Sequence, residues 1–578
     1  MQNRSVDTTP GESMREPAQR PLGELEGDML VSIQSALLPD SLRYQLKLNP
    51  QLGAGNFLQH AYALNRNRDI PLVYSDAPIN MLHGMPLSAL SITQLKSIAD
   101  RYAAWFLERG IAPMDPVAVF CSESIHYLIQ YVALTAIGAV PVLTNGAMPC
   151  DVAAQYFKRV GTVGIVTDRE RSSALGAYFA NGELKCFDCL EDIPGGDLSG
   201  LPHWYPFKHD HEDPVMITHT SGTTGTPKAI PLLHGKWFHG IRHLLGLEMA
   251  QGANRYLSSL PTSHNASIAF AIHAILNGAA ILIMRDRRGQ AVAGAIERFR
   301  PASVVSFPQT YVELAELDLY RFDCSSVTTW INTGDAAHET HIRRLVTHGY
   351  HDRGKERVEG SQFIDGLGSS EMGHSCFRII HTPYTNSYDR CVGLPQSWVE
   401  AAIFDDDGHP TPVGVVGRLG IRSPSVTAGY WNDSLLSYKS RLSGYWLTGD
   451  LVYRDEFGCY YHVDRLTDAI PTRDGTLYSL QTEELILKHQ QYLAECTVIG
   501  IVDRSGAGLQ TPIVLAVPRP GHDVDTVLLL DEINQVQRTK GRPALAQAHL
   551  VDWNEIPVGV TGKVLKCMLR ERLSIGGT

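Results

Sequence analysis

The sequence predicts an α/β protein: a large N-terminal portion built on parallel sheets with a β-rich subdomain, followed by a small α+β C-terminal segment. Three observations lead there. Over residues 113–371 short apolar runs alternate with helical stretches; after Gly393 closely spaced strands and turns take over; beyond about Leu466 helix and strand signals mix. Strands that alternate with helices pair in parallel, because the intervening helix carries the chain back across the sheet. A chain of 578 residues also exceeds what one compact core accommodates, so more than one domain is expected.

Residues 1–40 are polar at the start, rich in Pro and Gly, and lack the apolar stretch of a signal peptide, which predicts a mobile tail. Residues 117–120 read as a buried strand, with Ser122 and Ser124 as candidate N-caps for a helix over 127–137. Further strands are expected at 163–166, 215–218, 280–284 and 303–307. The most apolar run, 268–284, contains His273, Asn277 and Gly278, which suits a buried helix followed by a strand better than a membrane span. Strands at 399–404, 417–422, 445–447 and 459–463 build the β-rich part. The texture places a core at 41–465 and a C-terminal domain at 466–578.

Composition narrows the function classes. Fifty Lys and Arg against 61 Asp and Glu give a net charge of -11, which disfavours a nucleic-acid surface. Ten scattered cysteines fit reduced thiols and a cytoplasmic location. Cys186 and Cys189 form one CxxC with no second pair nearby, so they read as ordinary thiols. No G-x-S-x-G elbow supports a serine hydrolase.

The strongest local signal is Thr220-Ser221-Gly222-Thr223-Thr224-Gly225-Thr226-Pro227-Lys228, directly after the strand at 215–218. Its hydroxyls, glycines and backbone N–H groups can wrap phosphate oxygens, and Lys228 adds a positive charge. The spacing is not that of a Walker A loop.

This loop resembles the phosphate-binding signature of the superfamily of acyl-CoA synthetases, peptide-synthetase adenylation domains and luciferases, with Ala229 in place of its usual last Gly. The other family motifs follow in order. Leu260-Pro-Thr-Ser-His264-Asn265 resembles the segment bordering the acyl pocket, and Thr333-Gly334-Asp335-Ala336 the segment lining the adenine site. Gly366-Leu367-Gly368-Ser369-Ser370-Glu371 resembles the next motif, with Leu367 for its aromatic residue and Ser370 for its Thr. The resemblance implies that Ser370 touches the α-phosphate, that Glu371 holds Mg²⁺, and that His264 and Asn265 meet the substrate. A carboxylate beside a hydroxyl on a Gly-rich turn suits magnesium and phosphate.

Thr448-Gly449-Asp450 is similar to the motif whose carboxylate accepts both ribose hydroxyls. Gly417-Arg-Leu-Gly420 and Gly429-Tyr430-Trp431 are similar to structural motifs upstream. Asp464-Arg465-Leu-Thr467-Asp468 falls at the family's hinge, aligning Arg465 with a nucleotide-contacting arginine and Thr467 with the pivot. Pro471 stands where a Lys is common and Gly475 is displaced, departures that bear on the thiol-transfer half. Near the C-terminus, Pro557 to Lys563 is similar to the terminal motif whose lysine bridges substrate carboxylate and α-phosphate, a catalytic role for a mobile cation.

The resemblance implies an ATP-dependent ligase with a mobile C-terminal lid. It would form an acyl-AMP from a non-amino carboxylic acid and pass the acyl group to coenzyme A. A carrier-protein phosphopantetheine as acceptor, a single half-reaction, and a non-catalytic nucleotide-binding protein stay open. No nucleic-acid or membrane partner is expected. In amino-acid-activating members an Asp pairs with the α-ammonium; the neutral Asn265 stands at that place, and a buried ammonium without a counter-charge is costly.

Overall fold

A computed structural model describes residues 36–79, 82, 86–180, 182–220, 227–247, 254–354, 356–502, 508–559 and 563–575. The expected tail at 1–40 lies outside these residues up to 35; a helix begins at its end, Asp40–Leu48.

The α/β class holds. A six-stranded sheet runs in the order Cys186–Cys189, Gly164–Thr167, Pro116–Phe120, Val140–Leu143, Pro214–Thr220 and Lys228–Leu233. The first five pair in parallel and the last is antiparallel. Val117, Ala118, Val119 and Phe120 are wholly buried, as an apolar strand covered on both faces should be.

A 14-stranded sheet shows the change of texture read from the sequence. Its parallel part holds Pro71–Ile79, Ala280–Ile283, Arg255–Ser258, Ser303–Ser306, Thr329–Asn332 and Gln362–Asp365. From Phe377–His381 onward, through Cys391–Pro395, Tyr460–Arg465, Tyr445–Arg454, Gly417–Arg422 and Glu400–Phe404, pairing is antiparallel. The apolar run at 268–284 is the helix Asn265–Asn277, closed by Gly278 in the left-handed region, then the strand Ala280–Ile283.

Ser122 and Ser124 do not cap the following helix. It spans His126–Ala136 behind Ile125, with no side-chain cap. The Ser122 hydroxyl instead donates to Asp168 at 2.9 Å and accepts from Arg171 at 2.9 Å. A tertiary ion cluster outcompetes the local cap.

The C-terminal part packs the helices Ser479–His489, Thr526–Thr539 and Lys566–Ile575 with a three-stranded sheet, Leu493–Val502, Gln510–Pro518 and Gln547–Leu550. Ile470, Ile486, Val498, Val514 and Leu529 form an apolar cluster of its own. Polar contacts fasten this part to the rest: Arg519 Nε to Glu316 at 2.8 Å, His338 Nδ1 to Glu484 at 2.6 Å, and His341 Nε2 to the Ala494 carbonyl at 3.2 Å. Cys186 and Cys189 are free thiols on one edge strand. Among the described residues no helix is long and apolar enough to cross a membrane.

Candidate active site

A cavity of about 1340 Å³ opens where the two sheets and the C-terminal part meet. The loop residues Ser221, Gly222, Thr223, Thr224 and Gly225 lie outside the described residues. Thr220 and Lys228 stand opposite each other at the base of that hairpin, and Arg159 donates to the Pro227 carbonyl beside them. Lys228 Nζ sits 5.4 Å from the Tyr430 ring centre, and the Tyr430 hydroxyl donates to Glu371 at 3.1 Å. Burial and the Glu371 charge hold the Tyr430 hydroxyl protonated, well above the usual tyrosine range.

Asp365 joins two segments that the sequence placed in the nucleotide site. Its carboxylate accepts from Asn332 Nδ2 at 2.8 Å, Ala337 N at 3.0 Å and Gly366 N at 2.8 Å. Burial pushes it up to about 6 despite these donors. The Thr333–Ala336 turn is thereby fixed against Gly366, Leu367 and Gly368. Gly334, at φ 98°, leaves room for the Phe307 ring, which a Cβ would meet at 3.0 Å.

Asp335 and Asp450 are ringed by basic side chains. Asp335 lies 3.5 Å from Arg390 Nη2, 3.8 Å from His462 Nδ1 and 3.7 Å from Lys563 Nζ. Asp450 lies 3.0 Å from Arg465 Nε and 3.3 Å from His462 Nε2. Burial would raise Asp450, but Arg465 and His462 hold it at about 2. Asp335 is likewise held well below the carboxylate range, with Lys563 the largest opposing charge. The Asp450 Oδ1 and His462 Nε2 atoms are buried without a well-formed hydrogen bond. Lys563 is depressed from its usual value by burial and by Arg465.

Facing these groups, His264 caps the helix Asn265–Asn277, its Nδ1 accepting from Ala266 N at 3.2 Å. Burial, His219 and Lys563 lower it to about 3, so the ring is neutral with its proton on Nε2. Ser370 Oγ donates to Asn265 Oδ1 at 3.3 Å, and both residues are buried. Beyond them Trp237, Ile241, Phe270, Phe307 and Ile331 line an apolar slot.

At the junction, Asp464 and Arg465 end one strand. Arg465 reaches Asp450, while Asp464 accepts from the Ser479 backbone N and, at 3.0 Å, from Ser479 Oγ. Lys566 Nζ lies 2.6 Å from Ser479 Oγ and 2.8 Å from Glu483. Thr467 is exposed in the turn that follows, and Pro471 with Gly475 forms a short hairpin.

The structure thus brings Lys563, Glu371, Ser370, His264, Asn265, Thr220, Lys228, Gly334, Asp335, Ala336, Gly368 and Arg465 to one cavity, with Asp450 buried behind the lining, 3.0 Å from Arg465 Nε. Gly366 and Leu367 lie behind its wall; Leu367 is packed in the core. Sequence reasoning missed Arg390, His462 and Asp365. Asp365 directly precedes a recognised motif and was the most findable; Arg390 belongs to none.

The chain belongs to the AMP-binding enzyme family, which matches residues 71–431. It is 39% identical over 550 residues to a 3-aminoavenalumate diazotase of a Streptomyces species, spanning 92% of this chain and 98% of that protein. A 3-amino-2-hydroxy-4-methoxybenzoate diazotase of Streptomyces cremeus is 24% identical, over 82% of this chain and 88% of its own. Among solved structures, an anthranilate CoA ligase in complex with anthranoyl-AMP shares the fold, with a TM-score of 0.77 at 19% identity, covering 93% of this chain and 100% of that one.

Proposed function

We propose that this enzyme is an ATP-dependent diazotase: it adenylates nitrite and passes the nitrosyl group to an aryl amine. The observation that carries this reading is the 39% identity with the 3-aminoavenalumate diazotase over nearly the whole of both chains. The coarser chemistry, activation of an acid as its adenylate, is that of the family.

In the first step a nitrite oxygen attacks the α-phosphorus of ATP and the bond to the β-phosphate bridge breaks, releasing pyrophosphate. Lys563, 3.7 Å from Asp335, and the Nε2–H of neutral His264 are the groups set to offset charge on the attacking and α-phosphate oxygens. Asp450 and Arg465 supply the acceptor and cation for the ribose side; the buried, imperfectly paired Asp450 Oδ1 and His462 Nε2 atoms fit a ligand with hydroxyls. Glu371, with one oxygen held by Tyr430, would hold Mg²⁺, whose charge would screen the phosphates.

In the second step the amine nitrogen attacks the nitrosyl nitrogen, the N–O bond breaks, AMP leaves with the electron pair, and the amine nitrogen gives up one proton. The resulting N-nitrosoamine takes up a proton and loses water to give the diazonium ion. No further oxidant or reductant enters. Asn265 does not oppose such a substrate, because an aryl amine is uncharged at neutral pH and brings no buried ammonium.

Transfer of an acyl group to coenzyme A, the acceptor expected from the sequence, is the second reading, favoured by the fold shared with the anthranilate CoA ligase. A carrier protein would serve the same chemistry. Incubation with ATP and an amino-substituted aryl acid, with nitrite or with coenzyme A, separates the readings by mass spectrometry. Nitrite-dependent AMP and a diazonium trapped by a phenol coupler are expected; an acyl thioester formed without nitrite would overturn the diazotase reading.

A further inference from the structure

At the end of the apolar slot away from Lys563, the cavity changes character. Its lining there includes His243, on the last turn of the helix His234–Leu244, together with His374 and Arg378. Arg378 projects from the strand Phe377–His381 and is exposed. Burial of part of its guanidinium is all that shifts it, and no carboxylate acts on it among the described residues. The charges acting on His243 are those of Lys47 and Arg378, both positive. The His243 and His374 rings pack on Trp398, at centroid distances of 4.4 and 6.2 Å. Gly240 lets the His374 ring lie against the helix, where a Cβ would come within 2.2 Å of it.

This cluster draws its charges from other neighbours than the Lys563 end does. Lys563 acts on His264, whereas His374 feels His243 and His239. The cavity therefore carries donors at both ends, joined by an apolar slot. A substrate with a single acid group needs only the Lys563 end.

Resting on the diazotase reading, we infer that Arg378, with His243 and His374 beside it, anchors the carboxylate of the substrate, so that its aryl amine is presented to the adenylate end. An arginine fork without a protein carboxylate partner is suited to bidentate recognition of a planar anion. The ligand class is an aryl amine bearing a remote carboxylate, its ring and any conjugated spacer in the apolar slot. This is the reverse of the orientation in which the acid group itself is adenylated.

Equilibrium binding to wild type and Arg378→Met, using 3-aminocinnamic acid and its methyl ester, tests the assignment, with diazonium formation from the acid measured in parallel. Arg378 is exposed, so the variant is expected to fold; Arg378→Lys supplies a partial rescue. Losing a hydrogen-bonded charge should weaken acid binding roughly 10–100-fold while the ester changes less than about twofold. Acid-selective loss with diazonium formed by wild type supports the anchor and the diazotase reading together. Acid-selective loss without diazonium supports the anchor and overturns the diazotase reading. Equal or no loss on acid and ester overturns the anchor, whether or not diazonium forms.

Discussion

The Lys563 ammonium, carried on the C-terminal part, lies 3.7 Å from the Asp335 carboxylate of the core. That separation places the cation of the terminal motif beside the end of the cavity proposed to take the nucleotide. Lys563→Ala should reduce adenylate formation about 10²–10³-fold, the usual effect of losing one positioned donor. Nitrite-dependent pyrophosphate exchange measures it. Unchanged exchange in a folded variant would remove Lys563 from the first step.

Asp450→Asn keeps the shape but removes the charge that Arg465 and His462 surround. It should raise the KM for ATP roughly 10–100-fold, as expected for a charged hydrogen-bond acceptor, with little change in the KM of the amine. Initial rates against each substrate separate the two effects.

The docking of the C-terminal part should depend on pH through His338 and Glu484, 2.6 Å apart. Burial would lower His338, yet its bond to Glu484 leaves it above the usual histidine value. Burial would raise Glu484, yet His338 leaves it below the usual one. A raised histidine contributes stability below its unfolded value of about 6.5 and loses it as pH rises through the raised one. A lowered carboxylate contributes above about 4.3 and loses it as pH falls through the lowered one. His338→Gln should therefore lower Tm most at about pH 6 and least in alkaline solution. A constant Tm difference between pH 6 and 9 would contradict this.

Thr467→Pro fixes one backbone torsion in the exposed turn after Arg465. If the C-terminal part rotates there between steps, adenylation and nitrosyl transfer should change unequally. Single-turnover measurement of AMP release against pyrophosphate release gives the ratio, and an unchanged ratio would place the pivot elsewhere.

Much of the fold was readable because burial patterns are local. The strand Gly417–Arg422 was bounded as observed, and the run at 268–284 divided into helix and strand at Gly278. The parallel-to-antiparallel change followed from element spacing alone. Ser122 misled because the Asp168 carboxylate that claims it lies 46 residues away. The motif residues that converge on the cavity were legible one by one, yet Arg390 and His462 join Asp335 and Asp450 through sheet pairing, which no local pattern records. The acid and its acceptor were least legible: the same phosphate and ribose groups serve any oxyanion, so the motifs carry no mark of which one is activated.

Asp464 and Arg465 are neighbours on one extended strand, and their side chains leave it on opposite faces. One is fastened to the nucleotide half through Asp450, the other to the helix Ser479–His489. The dipeptide works as a latch. Any swing of the C-terminal part about the turn at 466–468 must draw Ser479 away from Asp464, which is fully buried. Each charged hydrogen bond broken costs about 1.5–3 kcal/mol unless water replaces it. A swing about that turn would therefore have to hydrate this carboxylate as well as part His338 from Glu484 and Arg519 from Glu316.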